Sequence, residues 1–270
     1  MTRRDTYFLG YDAREHEAAC IAGYSILRRA NRRSQIFLIE HQMLRALKKF
    51  DREWLTTATG QTYDTLDHKP FSTAFSHSRF LAFTLARDLR CTGPCMFIDC
   101  DWLFLNDPGE LMAQQEKNPD KIGVVSRHRE IEEGSTKMDG MVQEAYHRKL
   151  WSALFTFMPT QEWAALFDVQ AVNNRTGRAL HGFLGLDKNR FWEVDPRWHY
   201  IPSLDPAQEA PGGIHYSEFS PWLNPERYAE FPKAFDAWTD EKSAWLEYAA
   251  KRGALETWDD LNTALLAAAA

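Results

Sequence analysis

The chain has 270 residues, 44% of them hydrophobic and 26% charged, with a formal net charge of -6. It can bury a substantial core, as one large domain or two small ones, and the reading here is one domain over residues 1–270. The acidic balance excludes extended nucleic-acid binding, which needs a basic stripe to neutralise phosphates, although local Arg and Lys can still grip one diphosphate.

In chain order, residues 6–9 read as a first strand, ended by Gly10. Ala18, Ile21, Ala22, Ser25 and Ile26 then fall at helical spacing, with Arg28, Arg29 and Arg32 on the polar face. Residues 35–39 form a second strand. This β-α-β start favours a parallel sheet joined by a right-handed crossover. A looser polar stretch over 56–70 precedes a helix from about residue 76 to 89. The apolar run Cys95-Met96-Phe97-Ile98, bounded by Thr92-Gly93-Pro94, reads as a buried strand whose end opens at the rim of the sheet. A strand over 122–125 leads into a charged, mobile loop over 127–134, which has no clear apolar face. Residues 153–157 are another strand and 161–169 another helix. From about residue 203 the chain turns into an irregular covering segment rich in Pro, Trp and Tyr. Helices over 241–250 and 257–268 close it, the last with an alanine run that frays.

The expected fold class is therefore α/β, with a mixed, mostly parallel sheet flanked by helices. No stretch approaches the roughly 20 apolar residues of a membrane span, and the N-terminal segment is too short for a signal peptide's apolar region. A cytoplasmic protein with no transmembrane segment is expected. The four cysteines are too few for a secreted disulfide scaffold. Cys91, Cys95 and Cys100 lack zinc-knuckle spacing and are read, with Cys20, as reduced core residues.

Asp99-Cys100-Asp101 directly follows the 95–98 strand, so both acids reach the carboxyl end of a strand, where ligands of open α/β sheets collect. Paired hard oxygens there suit Mg²⁺ or Mn²⁺, although two acids at this spacing also occur on solvated loops. Gly10 at the end of the first strand lets a ligand approach the backbone closely. For Asp12, an ordinary helix cap is the equally open alternative. Arg79 alone reads as a solvated arginine, and His215 alone as a structural histidine.

Phe97-Ile98-Asp99-Cys100-Asp101-Trp102-Leu103-Phe104 followed by Asp107-Pro108-Gly109-Glu110-Leu111 resembles the DxD segment of nucleotide-sugar glycosyltransferases with the Rossmann-like GT-A fold. More closely it resembles a bacterial and phage group related to the family of glycogenin and lipopolysaccharide galactosyltransferases. Similar segments recur in order. They are residues 8–15, like the first-strand nucleotide loop; residues 72–81, like the helix with a donor-contacting Arg; residues 136–140 and 146–152, like the central block; and His215-Tyr216-Ser217-Glu218-Phe219-Ser220-Pro221-Trp222, like the metal-binding His segment.

The resemblance implies that Asp99 and Asp101 hold Mn²⁺ or Mg²⁺ with His215 as third ligand, with Asp99 reaching the metal, the ribose or both. It implies that Gly10 and Tyr11 frame the uracil of a UDP-sugar, that Asp12 accepts a hydrogen bond from base or ribose, and that Arg79 contacts the donor. Lys137 and Asp139 would line the sugar pocket, Asp187 falls near the acidic sugar-contact segment, and Trp222 is the tryptophan placed nearest the pocket. The implied activity is metal-dependent sugar transfer from a UDP-sugar to a glycan or other hydroxyl acceptor, as in surface-polysaccharide assembly. Retention is expected, because no acid stands out as an inverting base; Asp187 and Glu218 are candidates by position only.

The segment after His215 departs from the family pattern. Glycine and lysine usually follow the histidine, whereas Glu218, Phe219 and Ser220 fill the interval here. That gives weight to an alternative, a non-catalytic nucleotide-sugar binding module. A haloacid-dehalogenase-type phosphatase also carries an apolar-strand-DxD motif, but it expects Thr or Val where Leu103 stands.

Overall fold

A computed structural model describes residues 3–126, 148 and 150–252. Lys137, Asp139, the charged loop expected over 127–134 and the helix expected over 257–268 lie outside the described residues.

Strand β1 (Asp5–Gly10), helix α1 (His16–Arg29) and strand β2 (Ser34–Ile39) form the expected β-α-β unit, with β1 and β2 parallel from Asp5↔Ser34 to Gly10↔Ile39. The side of α1 carrying Ala18, Ala19, Ile21, Ala22 and Ile26 is fully buried, the outcome that apolar residues at helical spacing dictate. Helix α2 (His41–Ala46) follows β2 at once, because the Glu40 side chain accepts hydrogen bonds from the Gln42 and Met43 amides and caps it.

The stretch read as loose holds a small antiparallel sheet of β3 (Trp54–Thr56), β4 (Thr62–Asp64) and β5 (Pro70–Phe71). Its strands are two or three residues long, too short for alternation to register. Trp54 packs edge-on to Phe71 with ring centroids 5.5 Å apart. A 3-10 turn over Ser78–Leu81 and helix α3 (Ala82–Asp88) replace the single helix expected over 76–89.

The remaining elements are β6 (Cys95–Ile98), β7 (Trp102–Phe104), α4 (Gly109–Glu116), β8 (Ile122–Val124), β9 (Leu154–Phe157), α5 (Gln161–Leu166), α6 (Val169–Asn174), α7 (Gly177–His181), β10 (Phe191–Glu193), β11 (Gly213–His215) and α8 (Pro232–Arg252). The helix expected over 161–169 ends early. Asp168 turns out of helical geometry, and its carboxylate accepts from the Ala171 amide at 2.7 Å, starting α6.

The main sheet runs β10-β8-β9-β6-β1-β2. β9 alone runs against the other five strands, so the sheet is mixed and mostly parallel, flanked by helices. Phe80, Phe83, Phe155, Phe157, Phe167 and Phe183 are buried in mutual ring contact, stacked or edge-on except for the tilted Phe157. Burying each such ring contributes about 1.5–3 kcal/mol. Cys20, Cys91, Cys95 and Cys100 are free thiols, three of them buried. Among the described residues, no helix is long and apolar enough to cross a membrane.

Candidate metal centre

β1, β2 and β6 end along one rim of the sheet. Asp99 follows Ile98, and its amide donates to the Ala153 carbonyl at 3.0 Å, carrying the β6–β9 ladder one residue further. The chain then bends and enters β7, which pairs not with the main sheet but antiparallel to β11. That pairing sets His215 opposite Trp102, and the Tyr216 amide donates to the Asp101 carbonyl at 2.9 Å. Gly213 makes the pairing possible, since a Cβ there would lie 2.7 Å from Trp102 Nε1 and 2.8 Å from the Trp198 carbonyl. A residue 114 positions away from Asp101 is thereby set beside it.

Asp99, Asp101 and His215 are all buried, and each offers a ligand atom, all within 4.8 Å of one another. His215 Nε2 lies 3.2 Å from Asp101 Oδ1 and makes no hydrogen bond. Two carboxylates and an imidazole nitrogen converging in this way form a donor set suited to Mn²⁺ and its neighbours, with Mg²⁺ served by the oxygens. Trp102 stacks on His215 at 4.8 Å with a 21° interplanar angle. His199, also buried, places Nε2 2.8 Å from His215 Nδ1.

Arg79 reaches Asp99 Oδ1 at 2.7 Å, with both side chains almost wholly buried. Its Nε donates to the Ser76 carbonyl at 3.1 Å, the same Nη that meets Asp99 donates to the Ser152 carbonyl at 2.9 Å, and its guanidinium lies 5.2 Å from the ring centres of both Phe75 and Phe97. Arg79 is therefore tied to the acid pair rather than solvated. Beneath it, His181 Nδ1 is 2.7 Å from Ser152 Oγ.

Gly10, Tyr11 and Asp12 stand at the same rim. A Cβ on Gly10 would lie 2.5 Å from the Phe75 ring, so it is this aromatic that requires glycine there. Tyr11 is partly exposed, with its hydroxyl 3.1 Å from His16 Nδ1. Asp12 is buried and accepts from the Arg14 amide at 3.0 Å, the Arg14 guanidinium at 2.8 Å and the Ala74 amide at 2.9 Å. Burial pushes its pKa up, but the hydrogen bonds from Arg14 and Ala74 outweigh this and hold it below the usual carboxylate value. It caps the 3-10 turn Ala13–Glu15, so the capping alternative is realised.

The structure does not bring Asp187 or Trp222 into this cluster. Asp187 is exposed and precedes the 3-10 turn Lys188–Arg190. Its charge acts on Arg148, whose guanidinium donates to the Gly182 and Leu186 carbonyls at 3.0 and 2.6 Å. Trp222 packs 4.4 Å from Trp238 of α8 and lines a cavity of about 510 Å³ with Glu17, Tyr228 and Lys242.

No sequence signal marked His199 or His181, whereas Glu15 and Ser152 lie in the segments over 8–15 and 146–152 that carry the family resemblance, without a role beside the acids being assigned to either. Glu15 Oε2 accepts from the buried Cys100 thiol at 3.0 Å, between the two aspartates. Burial, then the neighbouring Glu15 and Asp101, push that thiol's pKa well up, so it is an inert packing group. Neither histidine sits in a motif; only the pairing of distant segments brings them to the site.

No protein-family model matches the chain. Among solved structures, it superposes on the apo WbbM bifunctional glycosyltransferase with a TM-score of 0.57 at 17% identity, over 93% of this chain and 52% of that one. It superposes on the glycosyltransferase GlyE of Streptococcus pneumoniae with a TM-score of 0.50 at 13% identity, over 92% of this chain and 64% of that one. The chain thus spans about half of the first and under two thirds of the second. The fold is that of the GT-A glycosyltransferases.

Within that class, sequence identity narrows the placement. The chain is 31% identical over 241 residues to protein CDI of Arabidopsis thaliana, covering 87% of this chain and 84% of that protein, and it belongs to that family.

Proposed function

We propose that the chain is a metal-dependent glycosyltransferase that moves a sugar from a UDP-sugar to a glycan or other hydroxyl acceptor, with retention of anomeric configuration. The observation that carries this reading is the convergence of Asp99, Asp101 and His215 within 4.8 Å at the carboxyl rim of a glycosyltransferase-type sheet.

In sugar transfer, negative charge grows on the diphosphate oxygen as the leaving group departs. A divalent cation, Mn²⁺ or Mg²⁺, supplies Lewis-acid stabilisation of that charge when bound. Asp99, Asp101 and His215 would hold it. Arg79 fixes the Asp99 carboxylate by its 2.7 Å contact and keeps that ligand oriented. Tyr11, partly exposed where β1 ends, is available to a base, and Asp12 stiffens the same loop through Arg14 and Ala74. With no described carboxylate other than Asp99 and Asp101 in the cluster, the reading stays with retention, in which positioning counts for more than a strong base.

Turnover of a UDP-sugar panel with Mn²⁺, read by mass spectrometry, tests the reading. Release of UDP with an α-linked product supports it, whereas turnover that survives excess EDTA defeats the metal assignment.

One observation favours a second reading, the non-catalytic nucleotide-sugar binding module. The segment after His215 is spent on packing: the Tyr216 hydroxyl donates to the Ala234 carbonyl at 2.8 Å, and Phe219 stacks 4.5 Å from Phe231 and 5.6 Å from Phe235. UDP binding without turnover of any donor identifies this case.

A further inference from the structure

We propose that His199 is a positioning residue that fixes the ring tautomer of His215 and aims its Nε2 lone pair at the point where Asp99 and Asp101 converge. The inference rests on the reading of that point as a divalent-cation site.

His199 ends the 3-10 turn Pro196–His199. The Tyr200 amide donates to the Gly213 carbonyl at 3.1 Å and the His215 amide donates to the Tyr200 carbonyl at 2.8 Å. The backbone thus clamps the two histidines side by side, with ring centroids 4.9 Å apart and His199 Nε2 2.8 Å from His215 Nδ1. Both rings are fully buried and lie against Trp102, at 4.7 and 4.8 Å. Neither has room to swing away.

A neutral imidazole carries one N–H and one lone pair, so across a 2.8 Å nitrogen–nitrogen contact one ring donates and the other accepts. If His199 donated, the proton of His215 would sit on Nε2 and point at Asp101, 3.2 Å away, closing that nitrogen to a cation. If His199 accepts, His215 carries its proton on Nδ1 and Nε2 presents a lone pair. The second arrangement is the one a cation site requires, and His199 is the group that can hold it. An imidazole acceptor also adds no negative charge to a pocket that already contains two carboxylates. Partners of this kind change metal affinity by about 10- to 100-fold.

The test is Mn²⁺ affinity, followed by electron paramagnetic resonance, with Mn²⁺ alone as the probe. It compares the wild type with Asp101→Ala, His199→Gln and His199→Phe, each checked for a cooperative thermal transition. The wild type is expected to bind and Asp101→Ala to lose binding. His199→Phe, which fills the space but accepts nothing, should weaken binding by about 10- to 100-fold, and His199→Gln, whose amide oxygen can accept the same bond, should recover most of the loss. His199→Asn, with an amide too short to reach His215, repeats the contrast if the phenylalanine is not accommodated.

Wild-type affinity in His199→Phe, with binding lost in Asp101→Ala, overturns the positioning role and leaves the cation site standing. Equal loss in the glutamine and phenylalanine variants also overturns it, because packing rather than the acceptor would then be at work. Indistinguishable binding by the wild type and Asp101→Ala defeats the cation reading itself, and the positioning role with it.

Discussion

Two buried arginine–aspartate pairs in this molecule use the same residue types for opposite ends. Arg52 grips Asp64 with two parallel contacts, Nε to Oδ1 at 2.8 Å and an Nη to Oδ2 at 2.6 Å, while its other Nη donates to the Val172 and Arg175 carbonyls. Both carboxylate oxygens are met by guanidinium donors, and the pair pins the small β3–β5 sheet to α6. Arg79 places an Nη 2.7 Å from Asp99 Oδ1, and ligand atoms of Asp101 and His215 lie within 4.8 Å of that carboxylate. The first arrangement is closed and structural. The second gathers acceptors at one point, which is what a cation needs and a self-contained ion pair does not.

The largest effect that would break this contrast is on activity. Asp101→Ala should lower UDP-sugar turnover by at least about 10²- to 10³-fold, the scale of a lost transition-state electrostatic contact, while the denaturation midpoint stays close to wild type. Wild-type turnover in that variant would remove the distinction between the two pairs.

Next comes the mirror experiment. Asp64→Ala leaves Arg52 buried without its carboxylate and should cost about 3–5 kcal/mol of stability in urea denaturation, with the specific activity of the folded fraction unchanged. A stability loss below about 1 kcal/mol would place this pair among surface-like interactions.

A third acid sharpens the comparison through pH. Burial, partly offset by Arg32 2.9 Å away, raises the pKa of Asp5 from 3.8 to about 6. Because the native state holds this proton more tightly than the unfolded chain, its contribution favours folding below about pH 4 and is lost as pH rises through about 6. Asp5→Asn should therefore flatten the fall in stability between those values, by on the order of 3 kcal/mol, as read from unfolding midpoints across that range.

The smallest expected effect lies at the far side of the Arg52 clamp. Asp168→Ala removes the α6 cap, a 2.7 Å bond to the Ala171 amide, and should cost about 1 kcal/mol of stability without changing turnover or Mn²⁺ affinity.

The sequence by itself determined what depends on local pattern. The β-α-β start was legible because apolar spacing of period 2 and 3.6 records which side of each element is buried. The rim position of Asp99 and Asp101 was legible because a four-residue apolar run ends immediately before them. The segment resemblance marked His215 as a partner of the acids. Where local chemistry competes with pattern, the reading slipped: Asp168 breaks the expected helix by capping a new one, and strands of two or three residues in β3–β5 are too short to show a period.

Only the tertiary structure decided which distant residues share the site. The β7–β11 pairing sets His215 beside Asp101, the backbone bonds of Tyr200 with Gly213 and His215 draw His199 against His215, and packing beneath β6 turns Arg79 from a helix-surface residue into a buried partner of Asp99. It also carries Trp222 to α8 and Asp187 to the surface near Arg148. The physical reason is that contact between segments depends on strand register and burial summed over the whole core, and neither is encoded within any one segment.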